Sequence, residues 1–285
     1  MTASIQFAIR WGAYPLVFGG CAAAMIWLLH AGIAQGLGSV GVVAIGLACV
    51  ALMERVQPFH RDWWHDRGDT LTDILHSLVN LSVIQITASL VAPALADAVP
   101  ASLRLFPRDA PLWLQLLIVA LVFDFGLYVM HRASHHVAWL WRFHAAHHSA
   151  KRLYWLNGER RHPLHAAIMA GPGLLVLLAS GVAPAVLATW LSILTVHLAF
   201  QHANIDYRLG GLRSLIGAAE LHRWHHKREF EDAQVNFGEF LLIWDRLFGT
   251  FHAGRERVGV DAVGLLDRQF PLTYWQQLRY PFRSL

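Results

Sequence analysis

The chain has 285 residues, 55% of them hydrophobic and only 15% charged, with a mean hydropathy of +0.39 and a formal net charge of +4. An ordinary soluble domain carries about 25% charged residues, so this composition excludes one and points to a membrane protein. Cys21 and Cys49 both lie in apolar runs and no CxxC occurs, which excludes thiolate iron–sulfur sites, zinc fingers and a disulfide framework.

A bilayer core takes about 20 apolar residues per helix. Residues 11–30 and 36–53 meet that requirement and are joined by the turn "AGIAQG". The first run leads straight into another apolar run, so it reads as a membrane helix and not as a cleaved leader. Residues 54–69 are polar, and Trp63 and Trp64 there suit a headgroup interface. Residues 71–96 are apolar but softened by Asp73, His76, Asn80 and Gln85. Residues 111–130 are strongly apolar. Residues 163–205 contain no Asp, Glu, Lys or Arg and break at "SGVAP", which predicts a hairpin of two helices, the first one short.

Six spans place both termini on one side. Of the 23 Lys and Arg residues, 21 fall on that side and only Arg104 and Arg108 on the other, the bias expected of cytoplasmic termini. Four spans with a re-entrant hairpin leave the same sides. The expected fold is all-α: a polytopic membrane protein of about four to six transmembrane helices with a cytosolic, histidine-rich di-metal cap. Its parts are N-terminal transmembrane helices (1–110), a histidine-box catalytic region (111–255) and a C-terminal cytosolic tail (256–285).

Histidine is the anomaly. Of 18 histidines, eight fall in residues 131–165 and five in 197–226. His131 and His135 are four apart and share a helix face. His144, His147 and His148 form H-x-x-H-H, and His222, His225 and His226 repeat it. A lone H-x-x-H is ordinarily a solvated or capping pair, but eight imidazoles in this pattern are a metal-binding set. Eight donors exceed one ion's coordination number, so two ions are implied. Upstream, Asp124, Tyr128, His131 and His135 form a single helical stripe. An acid inside an apolar helix is costly, and Asp124 is read as a carboxylate orienting a histidine ligand, with Tyr128 beside it at the catalytic site. The alternative is a snorkelling or protonated acid.

The segments "DFGLYVMHRASH", "WRFHAAHHS", "LHRWHH" and "NFGEFLLIWDRLFGT" resemble the fatty acid hydroxylase superfamily, also called the sterol desaturase family. The resemblance covers roughly residues 123–251, and the three N-terminal spans carry no such mark. It implies a non-haem di-iron centre on the cytosolic side of a bacterial inner membrane, using O2 and two electrons to hydroxylate or desaturate a lipid. It also implies, through "AFQHANID", that His202 is a further ligand, with His197 a weaker candidate. "RRHPLH" resembles a segment of bacterial members and brings His162 and His165 near the site; His136 adjoins a ligand but lies off its face. Zinc suits the same imidazoles and is the expected substitute for iron.

A lipid entering from the bilayer could be walled by Trp139, Trp141, Phe143, Trp155 and Trp224, residues that equally suit plain packing, and the hairpin 163–205 could roof it. No GxGxxG fingerprint follows an apolar strand, so electrons must come from a separate ferredoxin, cytochrome or reductase. Arg213, Arg223, Lys227 and Arg228 could dock such a donor or hold anionic lipid headgroups. No nucleic-acid partner is expected. Two other classes fit part of the pattern. A metal-dependent lipid hydrolase would run without O2, although HExxH is absent. A metal transporter or sensor would string its histidines along several depths. The lipid itself, whether sterol, hopanoid, carotenoid, fatty acyl or alkyl-ether, is not legible.

Overall fold

Apolar runs that must satisfy every backbone group internally become helices, and helices dominate the chain. The computed structural model describes residues 2–33, 36–100, 102 and 104–283, with 84–97 as backbone alone. Ala34 and Gln35 of the expected turn and the Gln85 side chain lie outside the described residues. Among the described residues no strand forms, and four helical stretches are long and apolar enough to cross a membrane: Ala3–His30, Leu37–Val56, Leu112–His136 and Pro184–His202.

The first of these starts eight residues earlier than the hydropathy of residue 11 onward suggests. Thr2 caps it by accepting from Ile5 N, and Arg10 pairs with Asp206 at 2.7 Å, so its polar first turns are held. Within it, α1 (Ala3–Gly12) and α2 (Gly19–His30) are joined by a π-helical turn, Ala13–Phe18, that contains Pro15. Proline removes a donor and clashes with the preceding turn, and the widened turn absorbs both. The next helix, α3 (Leu37–Val56), ends at buried Glu54, whose carboxylate takes the Trp155 and Asn204 N–H groups at 2.7 Å each.

Long α4 (Thr70–Ala98) carries the polar residues that soften its sequence. Asp73, His76 and Asn80 are fully buried and face protein. The hairpin appears as α7 (Pro163–Ala179) and α8 (Pro184–His202), turned by Gly181 at φ 82°. Between them in the bundle runs α5 (Leu112–His136). A Cβ on Gly126 of α5 would sit 2.6 Å from Gly173 N of α7, so only glycines allow this backbone approach. One apolar core joins α2, α5, α7 and α8 through residues such as Met25, Val119, Phe123, Leu174 and Ile193.

Past the bundle the chain builds a cap from α6 (Ala138–His148), α9 (Ala219–His225), α10 (Ile243–Leu247), α11 (Tyr274–Arg279) and connecting loops. Trp63 does not lie at an interface as its sequence suggests: it is buried, donates to Val260 O at 2.9 Å, and packs with Phe59, Val258 and Val263. The C-terminal segment is thereby tied down, and Gln277 of α11 meets His76 of α4 at 2.9 Å.

Candidate metal centre

The histidine boxes come together because two helix breaks turn them inward. Val137 is extended, so α5 ends and α6 starts within one residue and folds back over it. Tyr207 ties α9 to α8, its hydroxyl donating to Phe200 O and accepting from Ala219 N. Nine histidines then form two groups. One holds His131, His135, His144, His148 and His225; the other holds His147, His202, His222 and His226. Candidate ligand atoms lie within 4.8 Å of one another in each group, and none of the nine residues is more than 4% exposed.

Each H-x-x-H-H box is split. His144 and His148, one turn apart, serve the first group, while His147 between them serves the second. In the other box His222 and His226 serve the second group and His225 crosses to the first. Each of the two box helices thus reaches both groups, which couples them rigidly.

Hydrogen bonds alone do not satisfy these rings. A neutral imidazole nitrogen makes one hydrogen bond, as donor or as acceptor. Nε2 of His148 faces Nε2 of both His135 and His144 at 3.1 Å, and Nε2 of His222 faces Nε2 of both His202 and His226 at 3.0 Å. Nε2 of His131, His147 and His225 is buried without a partner. Converging, desolvated lone pairs of this kind call for a cation. The residues present therefore fit a transition-metal ion in each group.

The far ring nitrogens fix the tautomers. Nδ1–H of His131 donates to Phe237 O at 2.8 Å, that of His225 to Val235 O at 3.0 Å, and that of His202 to Asn157 Oδ1 at 3.1 Å. Each leaves an Nε2 lone pair directed into its group. Burial above all, then charge repulsion from neighbouring groups, pushes the box histidines His144, His147, His148, His222, His225 and His226 well below the usual histidine range. Neutral imidazole is the metal-binding form.

Asp124 holds the loop and not a histidine. Its carboxylate accepts from Phe240 N at 2.8 Å, Leu241 N at 3.0 Å and Trp244 Nε1 at 2.9 Å. The stripe expectation is corrected accordingly: helical spacing aligns Asp124 with His131, but the loop 236–245 passes between them and supplies the carbonyls. Tyr128 likewise contacts no ligand ring; its hydroxyl meets Thr250 Oγ1 at 3.1 Å and its ring stacks on Phe248. His197 is bonded at both nitrogens, to Tyr14 OH at 2.8 Å and Glu239 O at 2.9 Å. His162 caps α7 and meets Leu278 O, and His136 is exposed. Buried His165 lies 4.7 Å from His144 between ring centroids and shares a 2.8 Å hydrogen bond with Ser134.

Sequence reasoning missed Asn157, Gln234, which touches His135 Nδ1 at 3.1 Å, and Glu239, whose carboxylate lies 3.4 Å from His131 Nδ1 and pairs with Arg161 at 3.1 Å. The segment "NFGEF" is the one sequence signal for Glu239. Arg223 is no docking residue: it is buried, donates to Ala203 O and Ile205 O, and stacks on Phe59.

Beside the centre a cavity of about 870 Å³ lies among α3, α4, α5, α7 and α8. Its walls include Val43, Leu127, Met169, Leu191 and Leu198. A second cavity of about 220 Å³ shares Leu47, Leu81, Glu159, Thr195 and Leu198 with it, so the two adjoin. The larger one follows α8 from Ala188 to Leu198, on the order of 15 Å at the helical rise, and stops one turn short of His202. Of the aromatic residues expected to wall a lipid, Trp155 alone lines either cavity; Trp141 covers the His135 and His148 rings, Phe143 packs on His162, Trp224 on His252, and Trp139 is exposed.

Residues 116–250 match the fatty acid hydroxylase family. The chain is 35% identical over 214 residues to ornithine lipid hydroxylase OlsE of Rhizobium tropici, covering 72% of this chain and 64% of that protein. It is 32% identical over 165 residues to alkylglycerol monooxygenase of Homo sapiens (57% of this chain, 35% of that one). Against the cholesterol 25-hydroxylase-like protein of Danio rerio it is 31% identical over 142 residues (46% and 53%). The chain thus spans less than two thirds of each of these relatives. No solved structure matches it.

Proposed function

Since residues 116–250 form a fatty acid hydroxylase domain, we propose that this chain is a membrane-embedded oxygenase that hydroxylates an unactivated carbon of a lipid. The observation that carries the reading is the pair of buried all-histidine groups, with a cavity of mostly apolar walls ending one turn of α8 before His202. The named relatives are hydroxylases and a monooxygenase of lipids, which supports hydroxylation over desaturation.

Two iron ions, held by the five-histidine and four-histidine groups, would supply the oxidant that side chains lack, made from O2 and two electrons. The chain supplies position. Phe237, Val235 and Asn157 hold three rings in the tautomer that offers Nε2. Trp141 lies over the His135 and His148 rings, and the buried setting keeps bulk water from the reacting carbon. Arg161 lines the cavity and pairs with Glu239, whose carboxylate lies 3.4 Å from His131 Nδ1, so the cavity wall and the first histidine group are tied together. Overall, R–H, O2, two electrons and two protons give R–OH and water, so an external ferredoxin, cytochrome or reductase is required. The charge bias supports a cytoplasmic cap, the compartment where such donors are found.

Lipid profiles of a host with and without the gene test the reading. The expected result is one lipid class heavier by a single oxygen only when the gene and O2 are both present. Protein purified in mild detergent is expected to hold about two transition-metal ions per chain. Turnover without O2 would replace the oxygenase by a metal-dependent hydrolase.

A further inference from the structure

We infer that Glu159 is the residue that recognises the polar part of the lipid, and that it selects a cationic, hydrogen-bond-donating group, an ammonium, over an anionic one. The inference deepens the lipid reading above and rests on it for calling the ligand a substrate.

The two cavities meet at Glu159, in walls otherwise dominated by Leu, Val, Ala and Met. Three hydroxyls that line the space are spent on backbone carbonyls: Ser192 on Ala188, Thr195 on Leu191 and Ser77 on Leu156. Asn80 donates both amide hydrogens, to the carbonyls of Glu159 and Arg161, and its Oδ1 is buried with no partner. Arg161 is turned to the Glu239 carboxylate and the Gly158 carbonyl. The Glu159 carboxylate takes no hydrogen bond from the described residues.

Two features of this floor define what fits. The Glu159 carboxylate is an acceptor at the cavity wall with no donor among the described residues, so a ligand that brings donors satisfies it. The carboxylates of Glu159 and Glu239 share a single guanidinium, Arg161, which bonds Glu239 and leaves Glu159 without an ion-pair partner among the described residues. Burial pushes the Glu159 carboxyl above the usual range, and a cationic partner recovers that cost. A phosphate or free carboxylate here would meet Glu159 head-on. The position suits a recognition role. Glu159 follows by two residues the Asn157 that fixes His202, and Gly158 between them lies against His202, where a Cβ would come within 3.4 Å of the ring. A headgroup anchored at Glu159 is held beside the second histidine group.

The test is binding and needs no turnover. Dodecylammonium, dodecanol and dodecyl sulfonate are titrated against metal-loaded protein in nanodiscs of uncharged lipid, with occupancy read by native mass spectrometry. Wild type is expected to prefer the ammonium over the sulfonate by about ten- to a hundredfold, the worth of a charged hydrogen bond, with the alcohol between. Glu159→Gln should lose the ammonium preference, keep the alcohol and retain its metal. Equal binding of all three probes to wild type overturns the inference, a result that needs no variant to fold. So does an unchanged preference in Glu159→Gln, or a variant that keeps the preference and loses metal, which would make Glu159 a counter-charge to the ions. These outcomes stand apart from the oxygenase reading, which falls on O2-independent turnover whatever the probes do.

Discussion

Asp69, Asp73, Arg152 and Arg160 form a buried ion network close to the histidine boxes, and the two clusters treat their polar atoms in opposite ways. Arg152 binds Asp69 Oδ1 at 2.8 Å and Thr70 Oγ1 at 2.7 Å; Arg160 binds Asp69 Oδ2 at 2.8 Å and the Asp73 carboxylate; Tyr154 closes the network onto Asp73 at 2.7 Å. No side-chain nitrogen or oxygen of these six residues is buried without a partner. The histidine cluster, just as buried, leaves Nε2 of His131, His147 and His225 unpaired and crowds others three to a point. A closed network needs nothing more and is architecture. An open one, held open by carbonyls on its far side, is built for something that is not protein.

Removing a donor from the open cluster should have the largest effect on activity and little on folding. His147→Ala and His225→Ala each take one nitrogen from a different group. Turnover is expected to vanish and metal content to fall, while the protein still accumulates in the membrane, because no hydrogen bond of the His147 ring and only one of the His225 ring is lost. Full metal content in both variants would show that the groups do not hold ions.

Breaking the closed cluster should do the reverse. Arg160→Met leaves Asp69 and Asp73 with an uncompensated buried charge, a change that costs about 3–5 kcal/mol. The expected outcome is a large fall in thermal stability, with normal metal stoichiometry in whatever folds. A stable Arg160→Met protein that lacks metal would move this network into the site.

Asp124→Asn lies between the two. The amide keeps one acceptor where the carboxylate serves three donors, so stability should fall by about 1–3 kcal/mol. Metal affinity should move less than the 10- to 100-fold typical of a group that bonds a ligand directly. A loss within that range, in protein of unchanged melting temperature, would restore Asp124 as an orienting residue.

The same contrast explains what was legible in the sequence. His131 with His135, and each H-x-x-H-H, could be read because helical periodicity alone puts those rings on one face. Which ion each ring serves could not, since the exchange of His147 and His225 depends on how α6 and α9 face each other. The groups that set the tautomers of His131 and His225 are backbone carbonyls, which leave no side-chain signal. The softness of α4 was visible in Asp73, His76 and Asn80, but their partners come from about 80 to 200 residues further along the chain. Asp124 was visible as a costly acid, and its partners were again backbone groups.

The smallest effect separates two histidines that spacing cannot. His197 and His202 lie five residues apart on α8 and both are fully buried. His202 keeps one nitrogen for Asn157 and turns the other to His222; His197 spends both, on Tyr14 and on the Glu239 carbonyl. By the rule of open and closed clusters His197 is architecture, holding the π-helical turn of the first span against the Glu239 loop. Tyr14→Phe removes one hydrogen bond from that ring and nothing else. Stability should fall by about 0.5–1.5 kcal/mol, while metal content and turnover stay within error of wild type. If Tyr14→Phe lowered metal occupancy as far as His202→Ala does, the freed His197 ring would be acting on the centre, and counting unpaired nitrogens would no longer tell ligand from scaffold.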